Sequence, residues 1–298
     1  MLSPREKIFY NPNRRLIPLK KFLIVDTAQA ATFRELEKKY DAQIGVYVLD
    51  TGTRREISYH ADKRFAYCST HKVLSVAALL KLKTLDELNE RKFFSAEEIL
   101  SYAPITKNHV ADGMTLAEIC EAAVRVSDNT AANLILRELG GVENFKASLR
   151  EIGDTVTKPA RLESEMNIFS PDSIDDTSTP RQLAKDLEIY LLRDFLSDDK
   201  KFLLTTWMSD NAVTDELIKA GVPKDWRVLD KSGSGNFGTR NDIAVVYPPN
   251  RKPIIIAIMT RRNKPDAKFD NALIADAAKI VTARLTRKIF CQKEFGTL

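Results

Sequence analysis

The chain has 298 residues, of which 44% are hydrophobic and 29% charged, and its formal net charge is +5. This length and composition are typical of a globular protein with one sizeable core or two lobes. Basic and acidic residues are interleaved without a continuous basic block, which argues against nucleic-acid binding. The cysteines share no metal-ligand spacing and the histidines are scattered, so we expect no metal site.

The predicted elements begin after a basic N-terminal segment. Residues 1–31 contain only a short apolar stretch, interrupted by Pro18 and by lysines, unlike the hydrophobic segment of a signal peptide. We therefore expect a loosely ordered N-terminal extension. No other stretch is long and apolar enough to span a membrane, so we expect no membrane partner.

Apolar periodicity predicts the elements that follow. A helix near 32–40 precedes strands at 44–49 and 56–59, and then come helices at 70–83, 115–125, 130–139, 142–151, 180–192 and 198–209. Strands return at 227–231, 242–247 and 254–259, before a last helix at 271–286. This order predicts an α+β fold, with an antiparallel sheet flanked by N- and C-terminal helices and an inserted all-helical lobe.

The same pattern predicts the domain boundaries. A discontinuous α/β lobe contains residues 32–66 and 211–288, the helical lobe spans 67–210, and 289–298 form a C-terminal tail. Segment 159–178 lacks periodicity, and we expect a packed omega loop in which Arg161 pairs with Asp176 and Glu163 points inward. A small-molecule site is expected in the cleft between the lobes.

Ser69 and Lys72 are the first candidate catalytic pair. Their spacing at a helix start places a hydroxyl and an amine one turn apart on the same face. A serine becomes a nucleophile when a base removes its proton, and a lysine shielded from water can have a pKa low enough to serve. A second Ser-x-x-Lys, Ser197 to Lys200, has a plain N-cap explanation.

Two further motifs and one carboxylate complete the candidate site. Ser127-Asp128-Asn129 lies between two predicted helices, where these residues also act as caps. Lys231-Ser232-Gly233 is predicted to end a strand; it suits an anionic ligand, and its structural alternative is a glycine-rich hairpin turn. A buried Glu163 that holds a water would activate it for hydrolysis.

Together with Arg161-x-Glu163-x-x-x-Asn167, these motifs stand in the order of the class A serine β-lactamases, which the chain resembles over about residues 32–284. The resemblance implies hydrolysis of the β-lactam ring of penicillins and cephalosporins, and hence antibiotic resistance. It implies a monomeric, periplasmic or secreted enzyme without a cofactor, whose only partner is a small-molecule β-lactam. The alternative is a penicillin-binding DD-peptidase or a β-lactam sensor domain that acylates without fast deacylation; both lack the loop glutamate.

The resemblance also implies a role for each catalytic residue. These residues are Ser69, Lys72, Ser127, Glu163 and Lys231. Ser69 attacks the lactam carbonyl, and the backbone N–H groups of Ser69 and Ser234 stabilise the oxyanion. Lys72, or Glu163 through a water, removes the serine proton. Ser127 relays a proton to the lactam nitrogen, Lys231 supplies a positive field, and Glu163 later activates the deacylating water.

Substrate-binding roles are carried over in the same way. The implied residues are Asn129, Asn167, Ser232, Gly233, Ser234, Arg240 and Tyr102. Ser232 and Arg240 would bind the substrate carboxylate, since Arg240 falls on the strand next to the Lys231 motif. Asn129 would bind the acylamide side chain, Asn167 would help Glu163 to direct water, and Tyr102 would line the cleft.

Three neighbouring features are expected to be structural or unusual. Adjacent helix positions point apart, so His71 is expected to pack into the core rather than take part in catalysis. Cys68 and Cys120 are expected to stay unpaired, because Gly235 and Val76 occupy the positions where relatives carry their partner cysteines. Ser164 stands where many relatives have proline, which leaves the local peptide geometry open.

Overall fold

The computed structural model of the protein describes residues 27–209 and 211–286, which form ten helices and nine strands. The helices are α1 (Thr27–Tyr40), α2 (His71–Leu82), α3 (Leu85–Leu88), α4 (Leu116–Arg125), α5 (Asn129–Glu138), α6 (Val142–Glu151), α7 (Pro180–Leu187), α8 (Asp198–Ser209), α9 (Ile218–Gly221) and α10 (Asn271–Thr286). The strands are β1 (Gln43–Asp50), β2 (Glu56–Tyr59), β3 (Phe65–Ala66), β4 (Arg91–Lys92), β5 (Met114–Thr115), β6 (Thr177–Ser178), β7 (Arg227–Gly235), β8 (Thr239–Tyr247) and β9 (Ile254–Arg261). The expectations for residues 1–26 and 287–298 lie outside the described residues, whereas residues 27–31, predicted as part of a loosely ordered extension, belong to α1.

A five-stranded antiparallel sheet organises the fold, in the order β2-β1-β9-β8-β7. Alternate residues of β1 enter different cores: Val46 and Val48 pack on the side of α1 and α10, whereas Tyr47 and Leu49 pack on the side of α2 and α7. Burial on both faces explains why these strands are almost continuously apolar. The predicted α+β fold, with terminal helices on the sheet and helices inserted between its strands, is confirmed.

The structure corrects the prediction for the Lys231 motif. Strand β7 does not end at residue 231 but continues to Gly235, and the turn follows at 236–238. The motif is therefore neither a strand end nor a hairpin turn. Gly233 is needed for close packing, because a Cβ there would lie 2.9 Å from the carbonyl oxygen of Tyr67 and 3.0 Å from the amide nitrogen of Ser69. Strand β7 thus lies directly against the nucleophile turn.

Asp176 ties the beginning of segment 159–178 to its end. Arg161 Nε donates to Asp176 Oδ2 at 2.6 Å, which confirms the predicted pair, and Tyr67 Oη donates to Oδ1 at 2.8 Å. Met166 is buried, and β6 pairs with β3 at the end of the segment. These contacts carry Glu163, which is buried and points inward as predicted, to the start of α2.

The helix predictions agree with the structure to within a residue or two, except at α1, which begins at Thr27 instead of near residue 32, and at α7. The predicted helix 180–192 ends as α7 at Leu187 and continues as a single wider π-helical turn, Glu188–Leu192. No described helix is long and apolar enough to cross a membrane. In the described part of the chain, no three His, Cys, Asp or Glu side chains are grouped to bind a metal ion.

Candidate active site

Ser69 lies in a tight 3₁₀ turn, Cys68–Thr70, immediately before α2. Cys68 has a φ of +48°, a left-handed conformation that costs a side-chain-bearing residue about 1–3 kcal/mol. The turn is fixed by the Thr70 hydroxyl, which donates to the carbonyl of Tyr67 at 2.7 Å. This backbone presents the Ser69 hydroxyl to the cleft while its neighbours Cys68 and Thr70 stay fully buried.

Glu163 gathers the side chains around Ser69. Its Oε1 atom lies 3.1 Å from Lys72 Nζ, accepts a hydrogen bond from Ser69 Oγ at 3.4 Å, and lies 3.5 Å from His71 Nε2. Its Oε2 atom accepts a short hydrogen bond from Asn167 Nδ2. One buried carboxylate therefore contacts the hydroxyl and the amine that the sequence proposed as nucleophile and base.

The ionisation of Glu163 follows from this environment. Burial on its own would raise the pKa of the carboxyl, but Lys72 and the nearby His71 outweigh burial and hold the pKa at about 2. The carboxylate is thus charged at neutral pH. A charged, buried carboxylate beside a serine can accept a proton from a water placed between them.

Lys72 connects three of the four motifs. Its Nζ atom donates to the carbonyl of Ser127 at 2.8 Å and to Asn129 Oδ1 at 2.6 Å, in addition to its contact with Glu163. Burial lowers the pKa of Lys72 below its usual value, and Glu163 partly offsets this effect. The amine is therefore closer to exchanging a proton at neutral pH than an exposed lysine.

The Ser127-Asp128-Asn129 joint serves both as a helix cap and as part of the site. Asp128 is the N-cap of α5, accepting from the amide of Ala131 at 2.9 Å, and it also accepts from Thr106. Ser127 has a φ of +62° and turns its hydroxyl into the cleft. The cap interpretation of the sequence is therefore correct for Asp128, whereas its two neighbours line the cleft.

Lys231 lies on the other side of the Ser127 hydroxyl. Its Nζ atom donates to Ser127 Oγ at 3.1 Å, and Lys72 Nζ donates to the same oxygen at 3.3 Å. Because the oxygen accepts from both lysines, the hydroxyl proton is free to point to another acceptor. Burial, helped by repulsion from Lys72, lowers the pKa of Lys231 to about 7.

These residues surround a cleft with a volume of about 340 Å³. Its walls are formed by Ser69, Tyr102, Ser127, Asn129, Asn167, Val213, Ser232, Gly233, Ser234 and Arg240, and nine of these ten were candidates from the sequence. Lys72, Glu163 and Lys231 lie buried beneath them. All twelve candidate residues thus come together. A larger surface hollow of about 630 Å³, near residues 215–220 and 262–275, contains none of the motifs.

Arg240 adds a second cation at the cleft wall. It pairs with Ser234 in the β7–β8 ladder, so it lies on the strand that the sequence predicted. Its guanidinium donates to Asn271 Oδ1 at 2.9 Å and to the carbonyl of Val213 at 3.3 Å, and it lies 5.0 Å from the ring centre of Phe269. A guanidinium held in this way is suited to binding a carboxylate.

Three features of the site escaped the sequence prediction. Val213, in a stretch without a motif, lines the cleft. Asn133 holds the backbone of Glu163, since it donates to the carbonyl of Glu163 and accepts from its amide, both at 2.9 Å. Its position one helical turn after Asn129 could have indicated that it faces the site. His71 is buried as expected, but the contact of its ring with Glu163 was not predicted.

The remaining local expectations concern sulfur and the peptide after Glu163. Cys68 and Cys120 are buried free thiols, as predicted. A Cβ at position 235 would lie 3.0 Å from Cys68 Sγ, so Gly235 leaves room only for the thiol itself. The peptide bond between Glu163 and Ser164 is cis.

Comparison with known proteins gives a consistent result. The model of the "Beta-lactamase enzyme family" matches residues 28–285. A "Beta-lactamase" of Bacillus subtilis (strain 168) is 52% identical over 249 residues, which are 84% of this chain and 81% of that protein. "Beta-lactamase ROB-1" of Haemophilus influenzae is 48% identical over 91% of this chain and 88% of its own length. The crystal structure of a class A beta-lactamase from Clostridium kluyveri DSM 555 superposes with a TM-score of 0.87 at 50% identity, covering 88% of this chain and 100% of that one.

Proposed function

The chain belongs to the beta-lactamase enzyme family and is a hydrolase of β-lactams, which confers antibiotic resistance; we propose that it acts through an acyl-enzyme on Ser69 that Glu163 helps to hydrolyse. The substrates are penicillins and cephalosporins. The enzyme acts as a monomer, in the periplasm or outside the cell, and needs no cofactor. The observation that carries the proposal is the buried, ionised Glu163, whose Oε1 atom is 3.4 Å from Ser69 Oγ.

Acylation begins when Ser69 Oγ attacks the lactam carbonyl carbon. The Ser69 proton passes to Lys72, or through a water to Glu163; the two groups lie 3.1 Å apart, so a proton taken by one can move to the other. The backbone N–H groups of Ser69 and Ser234 stabilise the negative charge on the carbonyl oxygen. The close packing of β7 against the nucleophile turn supports this arrangement.

Ring opening requires a proton on the lactam nitrogen. Ser127 supplies it, since its oxygen already accepts from Lys72 and Lys231 and its proton is free to be donated. Lys231, Ser232 and Arg240 bind the substrate carboxylate, while Asn129 binds the acylamide group and Tyr102 forms a wall of the cleft.

Deacylation separates a hydrolase from a protein that stays acylated. Glu163 removes a proton from water as that water attacks the ester carbonyl, and Asn167 orients the carboxylate through its hydrogen bond to Oε2. A DD-peptidase or sensor domain lacks this carboxylate and deacylates slowly. Glu163, fixed beside Ser69, therefore favours the hydrolase.

The test compares the purified protein with Ser69→Ala and Glu163→Gln, using a chromogenic cephalosporin and intact-protein mass spectrometry. We expect Ser69→Ala to abolish turnover. Glu163→Gln is expected to lower turnover about 10²–10⁴-fold, the contribution of a general base, and to accumulate an adduct on Ser69.

The matched control is Glu165→Gln, an exposed glutamate on the same segment, which should turn over at the unmodified rate. Turnover that survives Ser69→Ala would contradict the acyl-serine mechanism. A stable adduct on the unmodified protein would instead support the peptidase or sensor alternative.

A further inference from the structure

His71 is a fully buried imidazole with an unusual set of neighbours. Its ring lies between the aromatic rings of Tyr67 and Phe145, with centroid distances of 5.8 and 6.1 Å, and Nε2 is 3.5 Å from Glu163 Oε1. Within the described residues, neither ring nitrogen has a hydrogen-bond partner at normal length. Buried polar atoms are rarely left without a hydrogen-bond partner, so the Glu163 carboxylate is the group available to pair with Nε2.

The charges around the ring define its protonation. The charged groups that act on it are Glu163, Lys72 and Lys231, while Tyr67, whose ring packs against it, donates its hydroxyl hydrogen to Asp176. Burial lowers the pKa of His71, and the two lysines act in the same direction, while Glu163 opposes them. The imidazole is therefore neutral at neutral pH and carries a single N–H. A lone pair facing the carboxylate would be repelled, whereas an N–H is attracted.

We infer that His71 is a positioning residue for Glu163: it keeps its proton on Nε2, points this N–H at Oε1, and so holds the carboxylate against Ser69. This inference rests on the function proposed above and adds a third fixed contact to those from Lys72 and Asn167. Each carboxylate oxygen is then held by a different element, Oε1 by α2 and Oε2 by Asn167. Such contacts often lengthen in a free enzyme and tighten in its complexes.

Two substitutions separate positioning from packing. His71→Phe keeps an aromatic ring between Tyr67 and Phe145 but removes the N–H, and His71→Gln loses the ring but can return an N–H to the carboxylate. We expect the deacylation rate of the Ser69 adduct to fall about tenfold in His71→Phe and to recover most of that loss in His71→Gln. His109→Phe is the matched control, since this partly exposed histidine lies beside Asp112 and does not line the cleft.

The deacylation rate is followed by quenching and mass spectrometry after a single turnover, so only protein already acylated on Ser69 is counted. Failure of the proposed function would appear as no adduct at all. Failure of the present inference would appear as an adduct that His71→Phe hydrolyses as fast as the unmodified enzyme does. An equal loss of rate in His71→Phe and His71→Gln would show a packing role and would also overturn it.

A second measurement does not depend on the variants folding well. The chain has three histidines, so ¹⁵N NMR of the unmodified protein can assign each imidazole. We expect His71 to be neutral with its proton on Nε2 between about pH 7 and 8, and the Nε2 resonance to move in Glu163→Gln. A proton on Nδ1, or a charged imidazole in this range, would overturn the inference.

Discussion

Replacing Asn133 with alanine tests how the backbone of Glu163 is held in place. Asn133, on α5, donates to the carbonyl of Glu163 and accepts from its amide, both at 2.9 Å. No other described contact between α5 and segment 159–178 fixes both backbone groups of this residue. Asn133→Ala should therefore loosen Glu163 without changing any group that touches the substrate.

The size of the effect follows from two lost hydrogen bonds. Each contributes about 1 kcal/mol net, and each Glu163 group left unpaired adds a cost of about 1–3 kcal/mol if it stays dry. Asn133 is half-buried, so water can reach part of the gap and the lower end applies, about 2 kcal/mol in total. Since about 1.4 kcal/mol corresponds to a tenfold change, deacylation should slow about 10- to 100-fold.

The assay measures acylation and deacylation separately, by rapid mixing and quenching with a cephalosporin. We expect Asn133→Ala to accumulate the Ser69 adduct while its acylation rate changes less than its deacylation rate. Asn108→Ala, which removes one hydrogen bond from an exposed asparagine to the carbonyl of Pro104, is the matched control. A lower melting temperature with unchanged deacylation would refute the argument that these two bonds position Glu163.

Two pH profiles provide further tests. The pKa of Lys231 is lowered to about 7, so kcat/KM should fall as the pH rises through 7, because the cleft loses this positive charge. Lys231→Arg should shift this fall to higher pH. An identical pH profile in the variant would contradict the assignment of the fall to Lys231. Burial, together with repulsion from Asp154, raises the pKa of Asp186 well above its usual value. Above about pH 4 the unfolded chain loses this proton while the folded protein keeps it, so the free energy of unfolding decreases as the pH rises. The side chain introduced by Asp186→Asn cannot ionise. In urea titrations, the free energy of unfolding of this variant should equal that of the parent near pH 4 and exceed it by about 1–3 kcal/mol at pH 8. A difference that does not change with pH would contradict this prediction.

The fold was predictable where one face of an element is buried. Helix α4 shows this best, since its apolar residues repeat along one side and its bounds were predicted to within one residue. Strand β7 was cut short because glycine and serine normally indicate a turn. The contact between Gly233 and the nucleophile turn joins residues far apart in the chain, so it could not be predicted from the local sequence. This contact explains why a glycine is needed within the strand.

The site was predictable through the order of its motifs rather than through any single one. That order predicted Glu163, but not the residues that support it. Asn133 has no motif and acts on the backbone of Glu163. His71 packs into the core as predicted, but its ring also lies 3.5 Å from Glu163, a contact that helix spacing did not predict, because Ser69 lies in a 3₁₀ turn and α2 begins only at His71. Helix-wheel spacing does not apply across that boundary.

The two buried lysines differ because only one of them has a direct counter-charge. Lys72 is 3.1 Å from the ionised Glu163, whereas the acids nearest Lys231 are themselves buried, and burial raises the pKa of Asp230 to about 6. Lys231 is further repelled by Lys72, and Arg240 adds another positive charge at the wall of the cleft. The free cleft therefore has an excess of positive charge that a substrate carboxylate can neutralise. Binding this carboxylate places a negative charge near Lys231 and must raise its pKa. Because kcat reports the enzyme–substrate complex and kcat/KM the free enzyme, the alkaline fall in kcat should lie at higher pH than the fall in kcat/KM.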